Sequence, residues 1–559
     1  MRKTALTFLL TMFCIITGHA QTAYDAWMFS ENNYEGTARS VAMGNAFTAL
    51  GGDLGSISIN PAGSAVAGYS QISFTPSLTI SSTTATGVPY AGSSDPYFQH
   101  KIKSNITKTG MPNYGVTLHF DTGRTTGLKS ATIGFISNLT NSWCEDLYTK
   151  GTNSSTCFSG AAAFDATETI KRYNENRPSY EEEFTYRDFI AENAYQYMPW
   201  KDVLGYQSGM FTEKDGDPTS FVGASQPYDK GHVMQETVEQ VFGRSISGNK
   251  FEYIFNIGAN ISDFIYLGMN VGLTSLTYDY NQYFKEAAVD TDMFKNEFID
   301  NQGNSYVTYF QNLMHKYEYS VDGDGVFAKF GFIIAPGNGL RIGAAISTPT
   351  SMTINEQWRE SAWTYFSDSR FDASAETPLG TSEYDFNSPY RVNFGLAYTF
   401  GKFGVISADY EMADYSSMRF QSTDSEERET FEILNEEIRE TYGKSHYLRV
   451  GAEIKPIPSI SLRAGYNLST SAQKFALEYD NEDKIYRSLD TYYNQNVSFG
   501  AGFSSKKSFF ADIACRHTFA TDEFIYPYSD YRADEGILSP EILSRNSNWK
   551  VLLTFGWRF

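Results

Sequence analysis

Counted back from the carboxyl terminus, Phe559, Trp557, Phe555, Leu553, Val551 and Trp549 alternate with Arg558, Gly556, Thr554, Leu552 and Lys550. A strict period of two puts one set on each face of a β-strand, so this segment carries one apolar face and one largely polar face. The same test along the chain predicts fourteen strands, near 69–83, 111–121, 129–139, 250–261, 264–278, 317–335, 339–350, 388–400, 403–413, 445–456, 459–469, 493–504, 508–519 and 548–559. Most are close to the nine to eleven residues that a tilted strand needs to cross a bilayer. The facing sets are consistent from strand to strand. Over 250–261, Phe251, Tyr253, Phe255, Ile257 and Ile261 oppose Glu252, Asn256, Gly258 and Asn260. Over 388–400, Val392, Phe394, Leu396, Tyr398 and Phe400 oppose Arg391, Asn393, Gly395 and Thr399.

The connections sort by length. After the first strand they run long, short, long, short; the short ones are 122–128, 262–263, 336–338, 401–402, 457–458 and 505–507. The long ones lie around 84–110, 140–249, 279–316, 351–387, 414–444, 470–492 and 520–547. Short turns on one side and long loops on the other are the habit of barrels in a bacterial outer membrane. A soluble sandwich has no reason for this parity. The expected fold is all-β, a 14-stranded antiparallel transmembrane barrel with an even strand count and both termini in the periplasm.

A charge on the lipid face at mid-bilayer costs about 2–4 kcal/mol, so the charged set of each strand must face the bore. Arg341, Arg391, Arg449, Arg463 and Arg516 are the expected inward cations, with Asp409, Glu411, Glu453 and Asp512 among the acids. Each arginine is a candidate to hold an anionic ligand or to pair with a plug or with lumen acids. Fourteen strands enclose more space than wall side chains fill.

The N-terminus reads as a signal peptide over 1–20: Arg2 and Lys3, an apolar run from Leu6 to Thr17, then Gly18-His19-Ala20. An exported chain whose last strand ends on Trp557 and Phe559 resembles the assembly signal of outer-membrane barrels, with the barrel assembly machinery and outer-membrane lipid as expected partners. Aromatics make up 16% of the chain, with 39 Tyr and 42 Phe, yet mean hydropathy is below zero. Apolar wall faces averaged against polar lumen faces give that combination. The net charge of −21 argues against nucleic acid, which calls for basic patches. Beyond the signal peptide there are three cysteines. Cys144 and Cys157 lie in a polar stretch and either pair, stabilising by about 3 kcal/mol on the loop-entropy account, or stand as unrelated thiols; Cys515 falls on an apolar strand face. No spacing suggests a metal site or a cofactor.

Residues 21–68, between the signal peptide and the barrel at 69–559, are the material available to fill the bore. Thr37 to Leu50 can form a short helix, Gly51-Gly52 breaks it, and a second helical turn can begin near Asp53. GTARSVAMGNAFTALGGDLGSISINPAG, residues 36–63, resembles the N-terminal hatch of the long-chain fatty-acid transporter family (FadL/TodX type), whose Asn-Pro-Ala hallmark stands here as Asn60-Pro61-Ala62, followed by Gly63. That resemblance implies passive uptake of a hydrophobic or fatty-acid-like compound through the lumen, by a monomer without cofactor and without enzymatic chemistry. It also implies exit through a side opening at a kink in the third strand, here at Gly134. The extension QTAYDAWMFSENNYEG departs from the family, and its Trp27, Met28 and Phe29 either line an apolar site or anchor the hatch.

The largest loop, 140–249, is acidic and aromatic and reads as an outer lid or a solvated cap. Within 422–444, Phe431, Leu434, Ile438 and Tyr442 form one helical apolar stripe. Two alternatives to uptake stay open: haem capture, for which His100, His232 and His315 in predicted loops are the available imidazoles, and a non-transporting barrel that partners a secretion or surface-assembly system. A plain porin does not explain the hatch, and no Ser, His and acid cluster supports a hydrolase.

Overall fold

The computed structural model of the chain describes residues 22–89, 97–98, 101–176, 182–229, 232–234, 236–299, 305–422, 425–474, 493–505, 508–533 and 537–559. The segment read as a signal peptide lies outside these residues. Fourteen wall strands follow one another around a closed ring. They are β1 (Gln71–Val88), β2 (Ile102–Asp121), β3 (Leu128–Asn153), β4 (Val238–Ile261), β5 (Ile265–Ala288) and β6 (Ser305–Gly337). Next come β7 (Leu340–Ser347 and Ser351–Phe366), β8 (Gly380–Asn387 and Arg391–Thr399) and β9 (Gly404–Asp414 and Arg419–Gln421). The ring ends with β10 (Lys444–Ile457), β11 (Ile460–Thr470), β12 (Tyr493–Ser504), β13 (Phe509–Ile525) and β14 (Glu541–Arg558). Consecutive strands pair antiparallel, and β1 closes the ring by pairing β2 on one side and β14 on the other, from Gln71↔Arg558 to Val88↔Glu541. Every strand predicted from alternation is present.

The two faces separate as the alternation requires. Ile257, Phe394, Leu396 and Trp549 stand exposed on the outside, while Asn256, Asn393, Glu411 and Lys550 are buried inside. This outward apolar girdle is the surface a bilayer would cover. Among the described residues no helix is long and apolar enough to cross a membrane. The crossing is left to strands.

The barrel is taller on one side. β3, β4, β5 and β6 run for 26, 24, 24 and 33 residues, whereas β10, β11 and β12 run for 14, 11 and 12. The loop expected over 140–249 is therefore an insertion over 154–237, because β3 and β4 continue well past the girdle. Beyond the bilayer level the outward positions turn polar, as at Asp279, Asp322 and Asp324; the apolar alternation disappears while the hydrogen-bonded ladder goes on. β7 and β8 break side by side at Pro349 and Pro389. Proline has no N–H to give a ladder, and the breaks are stitched instead by Thr350 N–H to Ser388 Oγ (2.9 Å) and Ser388 N–H to Thr350 O (3.0 Å).

Among the described residues there are also seven α-helices: α1 (Ala23–Ser30), α2 (Ala38–Ala42), α3 (Phe158–Glu175), α4 (Tyr186–Phe189), α5 (Ala194–Tyr197), α6 (Trp200–Gln207) and α7 (Ser425–Thr441). The insertion α3–α6 packs onto the tall wall through Phe189, Val203, Leu204 and Phe211 against Phe310, Leu313 and Phe366. α7 buries the expected Phe431, Leu434 and Ile438, with Tyr442 just past its end. Cys144, Cys157 and Cys515 are all free thiols, so the bridge considered between the first two is not formed. The strand runs on from Cys144 to Asn153, which carries the chain about 30 Å away at ~3.3 Å per residue, and Cys157 Sγ lies instead 3.6 Å from Tyr531 Oη.

Candidate functional site

The bore holds three layers, and the lowest is the hatch. Thr37 caps α2, accepting from Ser40 N–H at 3.2 Å, and Ala38 N–H donates to Thr554 Oγ1 on β14 at 2.7 Å. The helix expected from Thr37 to Leu50 stops at Ala42 because Gly44 must pass close to the wall: its φ is +62°, and a Cβ there would sit 2.9 Å from Tyr466 O. Asp53 caps the 3₁₀ turn Leu54–Ser58, accepting from Gly55 N–H (2.8 Å) and Thr37 Oγ1 (2.6 Å). Asn60 is a clip. Its Nδ2 donates to Thr48 O (2.6 Å) in the hatch and Phe332 O (3.1 Å) in β6, while its Oδ1 accepts from Ala62 N–H (3.0 Å). Pro61 starts the next 3₁₀ turn, and its carbonyl accepts from Asn256 Nδ2 of β4 at 3.0 Å. Gly63 closes the loop by accepting from Gly52 N–H at 2.9 Å. Each polar group orphaned in such a place costs about 1–3 kcal/mol. Asn60→Ala is therefore expected to loosen 36–63, seen as new protease cleavage there, with the barrel's resistance to SDS at room temperature kept.

The middle layer is charged, and the five arginines expected to face inward do so with partners already in place. Arg341 Nη1 donates to Leu50 O (2.5 Å); Arg391 bonds Glu411 (2.8 Å), Ser30 O (2.7 Å) and Tyr415 Oη (3.1 Å). Arg449 pairs with Glu411 (2.9 Å), Arg463 with Glu453 (2.6 Å) and Asp512 (2.5 Å), and Arg516 with Glu35 (2.9 Å). Three lysines on the same inward parity are part of this layer and were not singled out from sequence. Lys250 donates to the carbonyls of Phe29 (3.0 Å) and Glu31; Lys329 donates to Ser58 O (2.6 Å); Lys550 is paired with Glu35. Among Lys250, Glu252, Lys329 and Arg391 a cavity of about 20 Å³ remains, room for one water. Ser30 Oγ, Asn32 Oδ1, Glu252 Oε2 and Thr274 Oγ1 around it have no hydrogen-bond partner among the described residues.

The upper layer is apolar and aromatic, and α1 fills it. Thr22 and Asp25 form a reciprocal cap at its start. Met28 and Phe29 are buried, with Trp27 packed beside them, among Tyr278, Tyr319, Met352, Phe386, Tyr415 and Phe431. The Phe29 ring meets Phe386 edge-on at 6.4 Å. Burial, with the Glu356 charge adding to it, pushes the Asp25 carboxyl up from 3.8 to about 7. The seated helix thus keeps a proton that the free chain has lost, so seating is fully supported below about pH 4 and weakens as pH rises toward 7. Trp27 emission should accordingly shift toward that of a solvated indole between pH 4 and pH 7, and Asp25→Asn should reduce the shift, leaving the part owed to Glu31, whose carboxyl burial also raises to about 7.

The wall beside this layer is interrupted. β2 and β3 pair only from Asn113↔Asn138 to Asp121↔Ser130. Above that level, among the described residues, 102–110 of β2 pair only with β1, Met111 and Pro112 lie in neither ladder, and 139–153 of β3 pair with β4 apart from isolated bridges at Leu139 and Gly151. Pro112 marks the end of the ladder, with the β1 register shift around Pro76 opposite it. The hatch covers the gap from inside: Asn33 N–H donates to Thr140 O (2.5 Å) and Glu35 N–H to Leu139 O (2.9 Å). Lys108 reaches across to Gly248 O (3.1 Å) and Asn249 Oδ1 (3.2 Å). Gly134, where an opening was expected, pairs with Thr117 on one side and Asn256 on the other. The wall is continuous there. A glycine is a weaker cue than a proline because it keeps its N–H.

His315 lies in β6 rather than in a loop; its Nε2 bonds Glu360 Oε2 at 2.8 Å and its ring lies against Phe158. The side chains of His100 and His232 fall outside the described residues. Among the described residues no group of three or more His, Cys, Asp or Glu is placed to hold a metal ion.

A closed, plugged fourteen-strand barrel is thus the class this chain defines. No family model matches it, and no curated protein does. Among solved structures it is similar to a TodX monoaromatic hydrocarbon channel carrying the deltaS2S3 mutation, at 13% identity and TM-score 0.47, covering 94% of this chain and 99% of that one. It is similar also to a Pseudomonas aeruginosa FadL homologue (11%, TM-score 0.49, 95% and 99%) and to the CymD monoaromatic hydrocarbon channel (8%, TM-score 0.41, 94% and 97%). Identities this low carry no function across, and the functional reading rests on the residues above.

Proposed function

We propose that the protein is an outer-membrane channel for passive uptake of hydrophobic or amphipathic compounds, fatty-acid-like molecules foremost, with both termini in the periplasm. The ligand is captured under the α3–α6 cap and takes the place of α1 in the aromatic layer, where apolar burial contributes roughly 25 cal/mol per Å². A carboxylate end would then meet Lys250, Lys329 and Arg391, which lose hatch carbonyl partners as α1 and the residues after it withdraw. Exit is sideways into the membrane, through the gap between β2 and β3. The observation that carries this reading is that gap: an unpaired stretch of wall, at the level of the outward Leu78 and Ile80, held shut by hatch residues 33–35. Haem capture draws no support from His315, whose Nε2 is already engaged.

The test is uptake of radiolabelled oleate by cells expressing the protein. Pro112→Val restores a donor and lets the β2–β3 ladder extend upward, so uptake should fall several-fold while the hatch stays protected from protease. Unchanged uptake in that variant would remove the side exit from the reading. Uptake no greater than in cells lacking the protein would remove transport itself.

A further inference from the structure

Where the β2–β3 ladder stops, side chains tie the two flanks of the gap instead. Arg244 on β4 is buried, and all three of its guanidinium nitrogens donate to carboxylates. Nε bonds Glu145 Oε1 on β3 (3.1 Å), Nη1 bonds Glu523 Oε1 on β13 (2.9 Å), and Nη2 reaches both, at 2.5 Å to Glu145 Oε1 and 2.6 Å to Glu523 Oε2. Glu145 Oε2 also accepts from Asn546 Nδ2 on β14 at 3.2 Å. Followed along the wall through β14, β1, β2 and β3, β13 and β4 lie about 24 Å apart at ~4.8 Å per strand step,. No arginine spans that distance, so the bond cuts across the bore. Just beyond it, Leu147 of β3 and Phe242 of β4 share one apolar cluster with Ala85 of β1, Ile525 of β13 and Ile542 of β14. The flanks thus meet face to face above the level of hatch residues 33–35, which reach only Leu139 and Thr140.

The tie depends on charge. A single guanidinium holds two carboxylates, so its loss leaves Glu145 and Glu523 facing each other with like charge, which pushes the flanks apart. The two arms are unequal, because the Glu145 side chain is 12% exposed and that of Glu523 47%. Ion pairs open to water are weak, while buried ones are costly to break, so the Glu523 arm yields first. We propose that Arg244 is the latch of the side exit, holding the upper part of the β2–β3 gap closed through its bonds to Glu523. Release of that arm frees β13, β14, β1 and β2 from β3 and β4 along the line where the wall has no ladder. This rests on the side exit proposed above and names the residue that governs it.

The closure is read by thiol labelling, which needs no cargo. Thr149 is buried on the same face of β3 as Glu145 and Leu147, and its hydroxyl has no partner among the described residues. Thr149→Cys is made with Cys144→Ser, Cys157→Ser and Cys515→Ser, and reaction with N-ethylmaleimide is timed in detergent. Arg244→Met should speed this labelling about tenfold, since it strands two carboxylates, and should raise oleate uptake in cells. Glu523→Gln leaves Arg244 paired with Glu145, so the chain should fold normally and label faster by a smaller factor. Adding Glu523→Gln to Arg244→Met relieves the repulsion and should slow labelling again, whereas lost packing alone would leave it as fast or faster. Unchanged labelling in both single variants, or a double variant faster than Arg244→Met, would overturn the latch. Faster labelling with oleate uptake unaltered would keep the latch and remove the side exit, so the two readings fail separately.

Discussion

Excision of residues 22–68 is expected to convert a barrel that passes no current into one that gives steady single-channel steps in a planar bilayer. Fourteen strands enclose a lumen too wide for wall side chains to fill, and this segment supplies the backbone that plugs it: Met28 and Phe29 above, Phe47, Ile59 and Pro61 below, each buried. Without it the exposed lumen carries Lys250, Lys329, Lys550 and the five paired arginines against Glu252, Asp409, Glu411, Glu453 and Asp512. These charges would keep the opened bore filled with water, so the step size should scale with salt concentration. A truncated barrel that refolds, shows heat-modifiable migration and still passes no current would mean that the loops, not the hatch, close the bore.

The second large effect is expected at Glu411. This fully buried carboxylate holds Arg391 through Oε1 and pairs with Arg449, and its Oε2 accepts from Asn393 Nδ2 at 2.8 Å. Removing one member of a buried ion pair costs about 3–5 kcal/mol, because the partner's charge stays desolvated. Glu411→Gln strands two guanidiniums at once, so the unfolding midpoint in urea should fall by that amount or more. Adding Arg449→Met removes one stranded charge and should recover part of the loss. If the double variant is less stable than Glu411→Gln alone, the two groups do not act as the pair the geometry describes.

The architecture was readable because the bilayer imposes a simple grammar. Period-two alternation at Phe394, Leu396 and Tyr398 against Arg391 and Asn393 survives from sequence to structure because a strand between lipid and a filled lumen has no other way to arrange them. What alternation could not show was the part of each strand above the lipid, where Asp279 and Asp324 face water and any polar residue serves. The inward arginines and the lumen acids Glu411, Glu453 and Asp512 that they pair with were legible by parity, yet their partners in the hatch were not. Ser30 O and Leu50 O are backbone carbonyls, and only the folded hatch brings them to Arg391 and Arg341. Lys250 and Lys329 obeyed the same parity rule. The family resemblance points to an opening at Gly134 in the third strand, whereas the ladder there is continuous and the residue that ends it is Pro112, which lacks the hydrogen-bond donor.

The unequal height of the wall lifts the helical insertion far above the apolar girdle. From Leu273, near the top of the apolar girdle, β5 climbs fifteen residues to Ala288, about 50 Å of strand and roughly 40 Å of elevation at a tilt of ~40°. On the uptake reading proposed above, a greasy molecule would meet the aromatic cap at that height, well clear of the membrane surface, and would pass down the bore only as α1 gave up its place there.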